Sequence, residues 1–383
     1  MKKTLPIFFA FLCMGFGDVA GTLVGIAKAE YNLSDFQSNL VLFAGFLGFG
    51  LLSIPMGLFQ DRRGKKTTLL IGLAVAIIGV AIPYFLTLSS FGILLIAVLI
   101  LGLGAAILQV AGNPIMRDVS EPGKYSSNLS LGQFVKAIGS IAGPLIPVFA
   151  YYSTDIDWKI LFPIFLMMMV VSFVLIATLR IEESKSEKTA SLGSCFRLLK
   201  EKFVLIMVLG IFLYVGAEAS VNGNIAIYMQ KLFGWQSEKA PLMIANFFAA
   251  LTIGRLIGSQ ILKVLSPVKF LKITVTISIL GLISLAAQHE IATWVSVFVI
   301  GFGFANVFPL IFSITVDKMP ERTNELSGLM VTAIVGGAIV PPIMGFVADK
   351  TSVVPGFLVP LAAIVYIGWT ALYASGRQTN QAE

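Results

Sequence analysis

Twelve apolar runs, each close to or above the ~20 residues that cross a bilayer as a helix, dominate this chain. They fall near residues 4–28, 36–60, 67–88, 91–116, 127–152 and 159–180, then near 203–230, 240–263, 268–287, 291–316, 326–348 and 354–375. Inside lipid no water satisfies backbone N–H and C=O groups, so a spanning segment must be a helix or part of a closed barrel. Runs this long and this uniformly apolar predict helices. Hydrophobic residues make up 57% of the chain and charged ones 12%, against the ~25% charged typical of a soluble domain. The expected fold is therefore an all-α polytopic membrane protein whose solvent is lipid. Two cysteines, Cys13 and Cys195, exclude a disulfide framework. One histidine, His289, argues against a transition-metal site, and no cofactor is expected.

The start imitates a secretory signal: Met1-Lys2-Lys3, then an apolar stretch. That stretch outruns the usual ~7–15 residues of a signal core and Asp18 interrupts it, so it is expected to remain as the first span. The net charge of +7 does not point to nucleic acid. One set of loops holds Arg62, Arg63, Lys65, Lys66, Arg117, Lys318 and Arg322 among others, whereas the alternate set holds only Lys28, Lys159, Lys231, Lys239 and Lys350. The positive-inside rule makes the first set cytoplasmic, with both termini there, in a bacterial inner membrane. The charged stretch 181–202 divides the runs six and six. It predicts an N-terminal bundle over 1–180, a linker over 181–202 and a C-terminal bundle over 203–383, in a protein expected to be monomeric.

The halves echo each other. Gly102-x-Gly104-x-Ala106 precedes Asp118 as Gly301-x-Gly303-x-Ala305 precedes Asp317, and 301 − 102 and 317 − 118 both give 199. Phe11-Leu12-x-x-Gly15 returns as Phe212-Leu213-x-x-Gly216, each glycine followed within three residues by an acid, Asp18 or Glu218. Gly57-x-x-x-Asp61 at the end of one run and Gly345-x-x-x-Asp349 at the end of another suggest inverted three-helix units. Chance is the alternative, since Gly and Ala are common in membrane helices. Duplicated bundles around a central cavity are the logic of a secondary transporter.

The segment Gly57-Leu58-Phe59-Gln60-Asp61-Arg62-Arg63-Gly64-Lys65-Lys66 resembles the loop 2–3 signature of the major facilitator superfamily, G-x-x-x-D-R/K-x-G-R/K-R/K, at every defined position. Gly254-Arg255-Leu256-Ile257-Gly258, Phe308–Ser313 and Gly336–Gly345, with Tyr214–Glu218 and Asn113-Pro114, are similar to the fucose:proton symporter family. That family also contains glucose/galactose permeases and sodium-dependent glucose transporters. The resemblance covers most of the chain and implies twelve helices in two pseudo-symmetric six-helix bundles. It also implies sugar uptake driven by a proton or sodium gradient through alternating access. Asp18 stands where that family has a first-helix aspartate. Gln109 replaces a glutamate, and Lys136 replaces an asparagine three residues after the retained Gln133.

A charge at mid-bilayer costs at least ~2.5–3.5 kcal/mol, which makes an intramembrane ionisable residue a functional candidate. Asp18, Lys136 and Glu218 are the candidate coupling groups. A buried carboxylate is costly to keep charged, so Asp18 is a switchable proton site, and Lys136 in the same half is its expected partner. A static structural pair is the alternative. If Lys136 is unpaired, it favours an acidic sugar instead. The amides Gln109, Asn113, Gln133, Asn222, Asn224, Asn246 and Asn306 offer donors and acceptors to a polyhydroxylated ligand; individually each can equally be a helix–helix contact. Gly57, Asp61, Arg62, Gly64, Arg117, Asp118 and Asp317 are expected to close the cytoplasmic side. Arg255 is expected there too, paired with backbone or acidic groups.

Gly132-x6-Gly139-x3-Gly143-Pro144 half-matches the superfamily's antiporter motif, which keeps a proton-coupled drug or metabolite exporter open as the alternative. Small residues so spaced also permit close helix packing. A membrane enzyme would need a nucleophile–base pair or metal ligands in the bilayer, which the sequence does not offer.

Overall fold

The computed structural model describes residues 4–33, 35–86, 88–120, 125–152, 156–181, 183, 192–236 and 239–379. Among the described residues, twelve helices are long and apolar enough to span a membrane: Leu5–Glu30, Gln37–Arg63, Lys65–Phe85, Phe91–Val119, Leu131–Ala150 and Trp158–Thr178, then Lys202–Phe233, Pro241–Ile261, Pro267–Ala287, Glu290–Lys318, Glu325–Lys350 and Val353–Ser375. They are numbered here as spans 1 to 12.

Several helices outrun the apolar core that revealed them. Span 2 continues through Asp61, Arg62 and Arg63 and stops at Gly64, whose φ of 92° is open to glycine without strain. The polar linker contains a short helix, Leu192–Leu198, which hydropathy alone does not reveal. Besides the 3₁₀ turns at the ends of spans 6 and 9 and the break at Phe357 near the start of span 12, three spans depart from the α-helix in their interior. Span 1 tightens to a 3₁₀ turn at Phe16–Asp18, span 11 does so at Ala333–Val335, and span 10 breaks at Ala305–Asn306.

The repeated glycines make equivalent contacts in the two halves. A methyl on Gly102 would strike the backbone carbonyl of Gly45 on span 2, and one on Gly301 would lie 2.5 Å from the carbonyl oxygen of Phe247 on span 8. Gly104 meets the backbone of Ala76 on span 3, and Gly303 meets that of Ser278 on span 9. In each bundle, then, the fourth helix presses one glycine onto the second helix and the other onto the third. Without a hydrophobic driving force between helices in lipid, such backbone approach is a main source of association. Between the halves, span 2 packs along span 11 and span 5 along span 8.

Candidate functional site

The site begins with two glycines. A methyl on Gly15 would collide with the backbone oxygen of Lys136, and one on Gly139 with that of Leu12, so spans 1 and 5 cross at van der Waals contact. One turn beyond this crossing, the 3₁₀ turn presents Asp18. Ser140 donates a 2.6 Å hydrogen bond to Asp18 Oδ2, and Lys136 Nζ lies 3.6 Å from the same oxygen. Lys136 and Ser140 are four residues apart, so both project from one face of span 5. Lys136 also donates to Gln109 Oε1 on span 4 at 3.5 Å. The carboxylate, ammonium, hydroxyl and amide form one cluster in the first half.

The second half repeats the crossing. A methyl on Gly336 would strike the Phe212 carbonyl, bringing span 11 onto span 7. Beyond it stands Glu218, which interacts with Tyr214 and Arg255. Tyr214 donates at 2.9 Å to the Phe304 carbonyl just before the break in span 10. Arg255 is buried, donates through Nε to Ala305 O at 3.1 Å, and reaches across the halves with Nη1 to Gln133 O at 3.2 Å.

These two clusters line one chamber of about 50 Å³ that contains Asp18, Gln109, Gln133, Lys136, Glu218, Asn222 and Arg255. Its formal charges balance, with two carboxylates against one ammonium and one guanidinium. Gln133 Nε2 and Asn222 Oδ1 are buried and make no hydrogen bond within the protein, which leaves them open to a polar ligand or water.

Arg255, placed by sequence at the cytoplasmic gate, sits instead in the chamber wall, where its Nε–H takes up the Ala305 carbonyl that Pro309, lacking an N–H, leaves without an intrahelical donor. Four amides read as cavity residues do not line the chamber. Asn224 donates to Ser220 O at 2.9 Å on its own helix, Asn246 to Trp294 O at 2.9 Å and Asn306 to Gly254 O at 2.7 Å. Asn113 is buried in span 4 away from the lining. Sequence reasoning missed Ser140, although it lies one turn from Lys136. It also missed the aromatic lining of Phe46, Phe49, Phe248 and Phe308, indistinguishable in sequence from lipid-facing phenylalanines. Among the described residues, no group of three His, Cys, Asp or Glu side chains could hold a metal ion.

The face rich in arginine and lysine carries a second network. Lys65 Nζ pairs with Asp118 at 2.5 Å. Glu183, from the start of the linker, accepts from the backbone N–H groups of Lys65 (2.5 Å) and Lys66 (3.0 Å), the first residues of span 3 after Gly64. It thereby caps that helix N-terminus. Arg117 acts electrostatically on Asp317 of span 10, and Arg62 is exposed at the rim. A Cβ on Gly57 would stand 3.7 Å from the Cα of Gly328, so spans 2 and 11 touch here. Cys195 of the linker helix lies within the electrostatic reach of Asp61, Arg322 and Glu325, and Arg322 Nε pairs with Glu325 at 2.5 Å.

Two helical bundles enclosing one ionic chamber at the depth of their crossings define a secondary-transporter architecture. The sequence profile of the Major Facilitator Superfamily matches residues 7–342. A glucose/galactose transporter of Brucella abortus biovar 1 (strain 9-941) is 30% identical, over 92% of this chain and 89% of that protein. The L-fucose-proton symporter of Escherichia coli (strain K12) is 24% identical over 99% of this chain and 95% of that protein. The crystal structure of a variant of the E. coli fucose:proton symporter superposes with a TM-score of 0.78 at 19% identity, covering 98% of this chain and 99% of that one. The chain belongs to the major facilitator superfamily; it is a multi-pass membrane transporter, and its relatives are transporters rather than enzymes.

Proposed function

We propose that this protein imports a neutral sugar of the hexose class together with a proton, by alternating access of bundles 1–180 and 203–383 around the shared chamber. The single observation that carries the reading is the Asp18–Lys136 pair facing the balanced chamber. Protonation of Asp18 discharges the partner of Lys136, so the cation and the polar lining are linked through one side chain. The named substrates of the relatives, glucose, galactose and fucose, support a sugar, and the name of the E. coli relative supports the proton. The acidic-sugar reading needs an unpaired ammonium, and both chamber cations have carboxylates at hand. The exporter alternative loses its motif to packing: Gly132, Gly139 and Gly143 meet Phe11, Leu12 and Val19 of span 1.

In this reading Asp18 couples, and Gln109, Gln133 and Asn222 bind sugar hydroxyls. Glu218 and Arg255 form the second-half wall, and the basic face is the cytoplasmic gate, with both termini on that side of a bacterial inner membrane. The test is uptake into proteoliposomes of D-glucose, D-galactose, L-fucose and glucuronate under an imposed pH gradient, acid outside. Accumulation of a neutral sugar that collapses with a protonophore supports the proposal. Preference for glucuronate, or uptake indifferent to the gradient, would overturn it.

A further inference from the structure

The chamber is too small, in this conformation, for the sugar it is proposed to carry. Small-molecule sites hold about 300–1,000 Å³, against about 50 Å³ here. A second cavity, of about 450 Å³, opens between the bundles on the side away from the basic face. Its wall comes from both halves: Thr22 and Glu30 of span 1, Trp158 at the start of span 6, and Gly223 and Gln230 of span 7. From Asp18 to Glu30 is twelve residues, about 18 Å of helix axis at 1.5 Å per residue, so this cavity runs from just beyond the chamber to the end of the span.

A thin partition separates the two spaces. Asn222 lines the chamber, and its amide lies so close to the backbone of Gly21 that a methyl there would collide with it. Gly21 and Gly223 line the outer cavity. The cavity also has the chemistry to hold a ligand. Thr22 is buried at 2% exposure, and its hydroxyl makes no hydrogen bond within the protein; an unmet hydroxyl in such a place is costly unless something pairs with it. Gln230 adds an amide. Glu30 is held by Lys159 at 3.2 Å, and that ammonium stands 5.6 Å from the centre of the Trp158 ring. A flat electron-rich ring face beside hydrogen-bonding groups matches a pyranose, which is apolar on its C–H face and polar at its rim.

We infer that this outer cavity is a second sugar-binding site, a loading station from which the substrate passes the Gly21–Asn222 partition into the ionic chamber. The inference rests on the sugar-transport reading above. It assigns Trp158 the stacking platform and Thr22 and Gln230 the hydroxyl contacts.

The experiment is equilibrium binding of radiolabelled D-glucose and D-galactose to the full protein in nanodiscs, paired with initial uptake rates in proteoliposomes. Two equivalents are expected for the wild type and one for Trp158→Ala or Thr22→Val. The same variants should raise the KM for uptake about tenfold, equivalent to ~1.4 kcal/mol of binding, with the maximal rate little changed. Trp158→Phe keeps an aromatic face and should restore both readouts, which a merely structural tryptophan would not require. Asn222→Leu, altered in the partition, should abolish uptake yet keep the outer equivalent. One equivalent in the wild type, or unchanged binding and KM in Trp158→Ala, would overturn the outer site while leaving sugar transport standing. Failure of the wild type to bind or carry either sugar would remove both.

Discussion

Lys136 Nζ lies 3.6 Å from Asp18 Oδ2, and the side chains keep 13% and 23% of their surface exposed. The pair is therefore neither a surface ion pair, which contributes about 0–1 kcal/mol, nor a dry one. It is positioned to be made and broken as water and protons reach the chamber. Asp18→Asn preserves the shape and the Ser140 contact but cannot ionise. The variant should lose accumulation driven by a pH gradient while retaining sugar exchange in counterflow. Accumulation equal to wild type would remove the coupling role.

Removing only one partner should cost more than removing both. Lys136→Leu leaves a carboxylate without its cation, whereas Asp18→Asn with Lys136→Leu leaves neither charge. Coupled neighbours show interaction energies of about 0.5–3 kcal/mol. The double variant should unfold at a higher temperature than Lys136→Leu alone, in thermal scans of purified protein. Additive shifts would show that the two groups do not interact.

Much of this arrangement was legible in the sequence. The twelve spans follow from apolar length, and Asp18, Lys136 and Glu218 were conspicuous because charge is rare in lipid. The repeat offset of 199 pointed to duplicated halves; the equivalent contacts of the repeated glycines emerge only in the structure. What sequence could not supply was helix rotation. Asn224 and Asn246 occur in the same kind of run as Asn222, yet only Asn222 turns toward the chamber; an apolar helix surrounded by lipid and protein has no amphipathic stripe to reveal its inner face. Arg255 is drawn deeper than its distance from the helix end suggests by the Ala305 carbonyl, which Pro309, four residues on and without an N–H, cannot satisfy; that signal lies in the residue pattern, but the partner it selects does not.

Arg255 Nη1 on Gln133 O is a direct tie between the halves. It lies on the basic side of the chamber, six residues from the end of span 8 at Ile261. Lysine has one terminal group and cannot serve Ala305 and Gln133 together as the planar guanidinium does. Arg255→Lys should loosen closure of the basic face, lowering the uptake rate and speeding alkylation of Cys195. An unchanged alkylation rate would show that the tie does not hold that face.

Cys195 itself carries a pH prediction. Burial raises the pKa of its thiol, and the carboxylates of Glu325 and Asp61 raise it further against the opposing pull of Arg322. The thiolate is the nucleophile, so a raised pKa leaves less of it at neutral pH than in a free cysteine. Maleimide labelling should be slow at neutral pH and accelerate as the pH climbs through the raised value. Neutralising the acid with the larger effect, by Glu325→Gln, should move that acceleration to lower pH. A profile like that of free cysteine would contradict the buried placement.

The two glycine crossings make the most severe prediction for folding. Methyls on Gly15 and Gly336 would strike the backbone oxygens of Lys136 and Phe212, and a backbone carbonyl within a helix cannot rotate away as a side-chain tip can. Overpacking typically costs about 1–3 kcal/mol, and the collision here forces two helices apart along their length. Gly15→Ala also shifts Asp18 away from Ser140, and Gly336→Ala shifts Glu218. Each should lower thermal stability and abolish uptake. Gly92→Ala is the control: its added methyl meets only Ser90 Oγ, at 3.9 Å, and alanine favours the helix by up to about 1 kcal/mol. It should transport as wild type and unfold no earlier. If Gly15→Ala and Gly92→Ala behave alike, spans 1 and 5 do not cross at Gly15, and the placement of Asp18 against Lys136 fails with it.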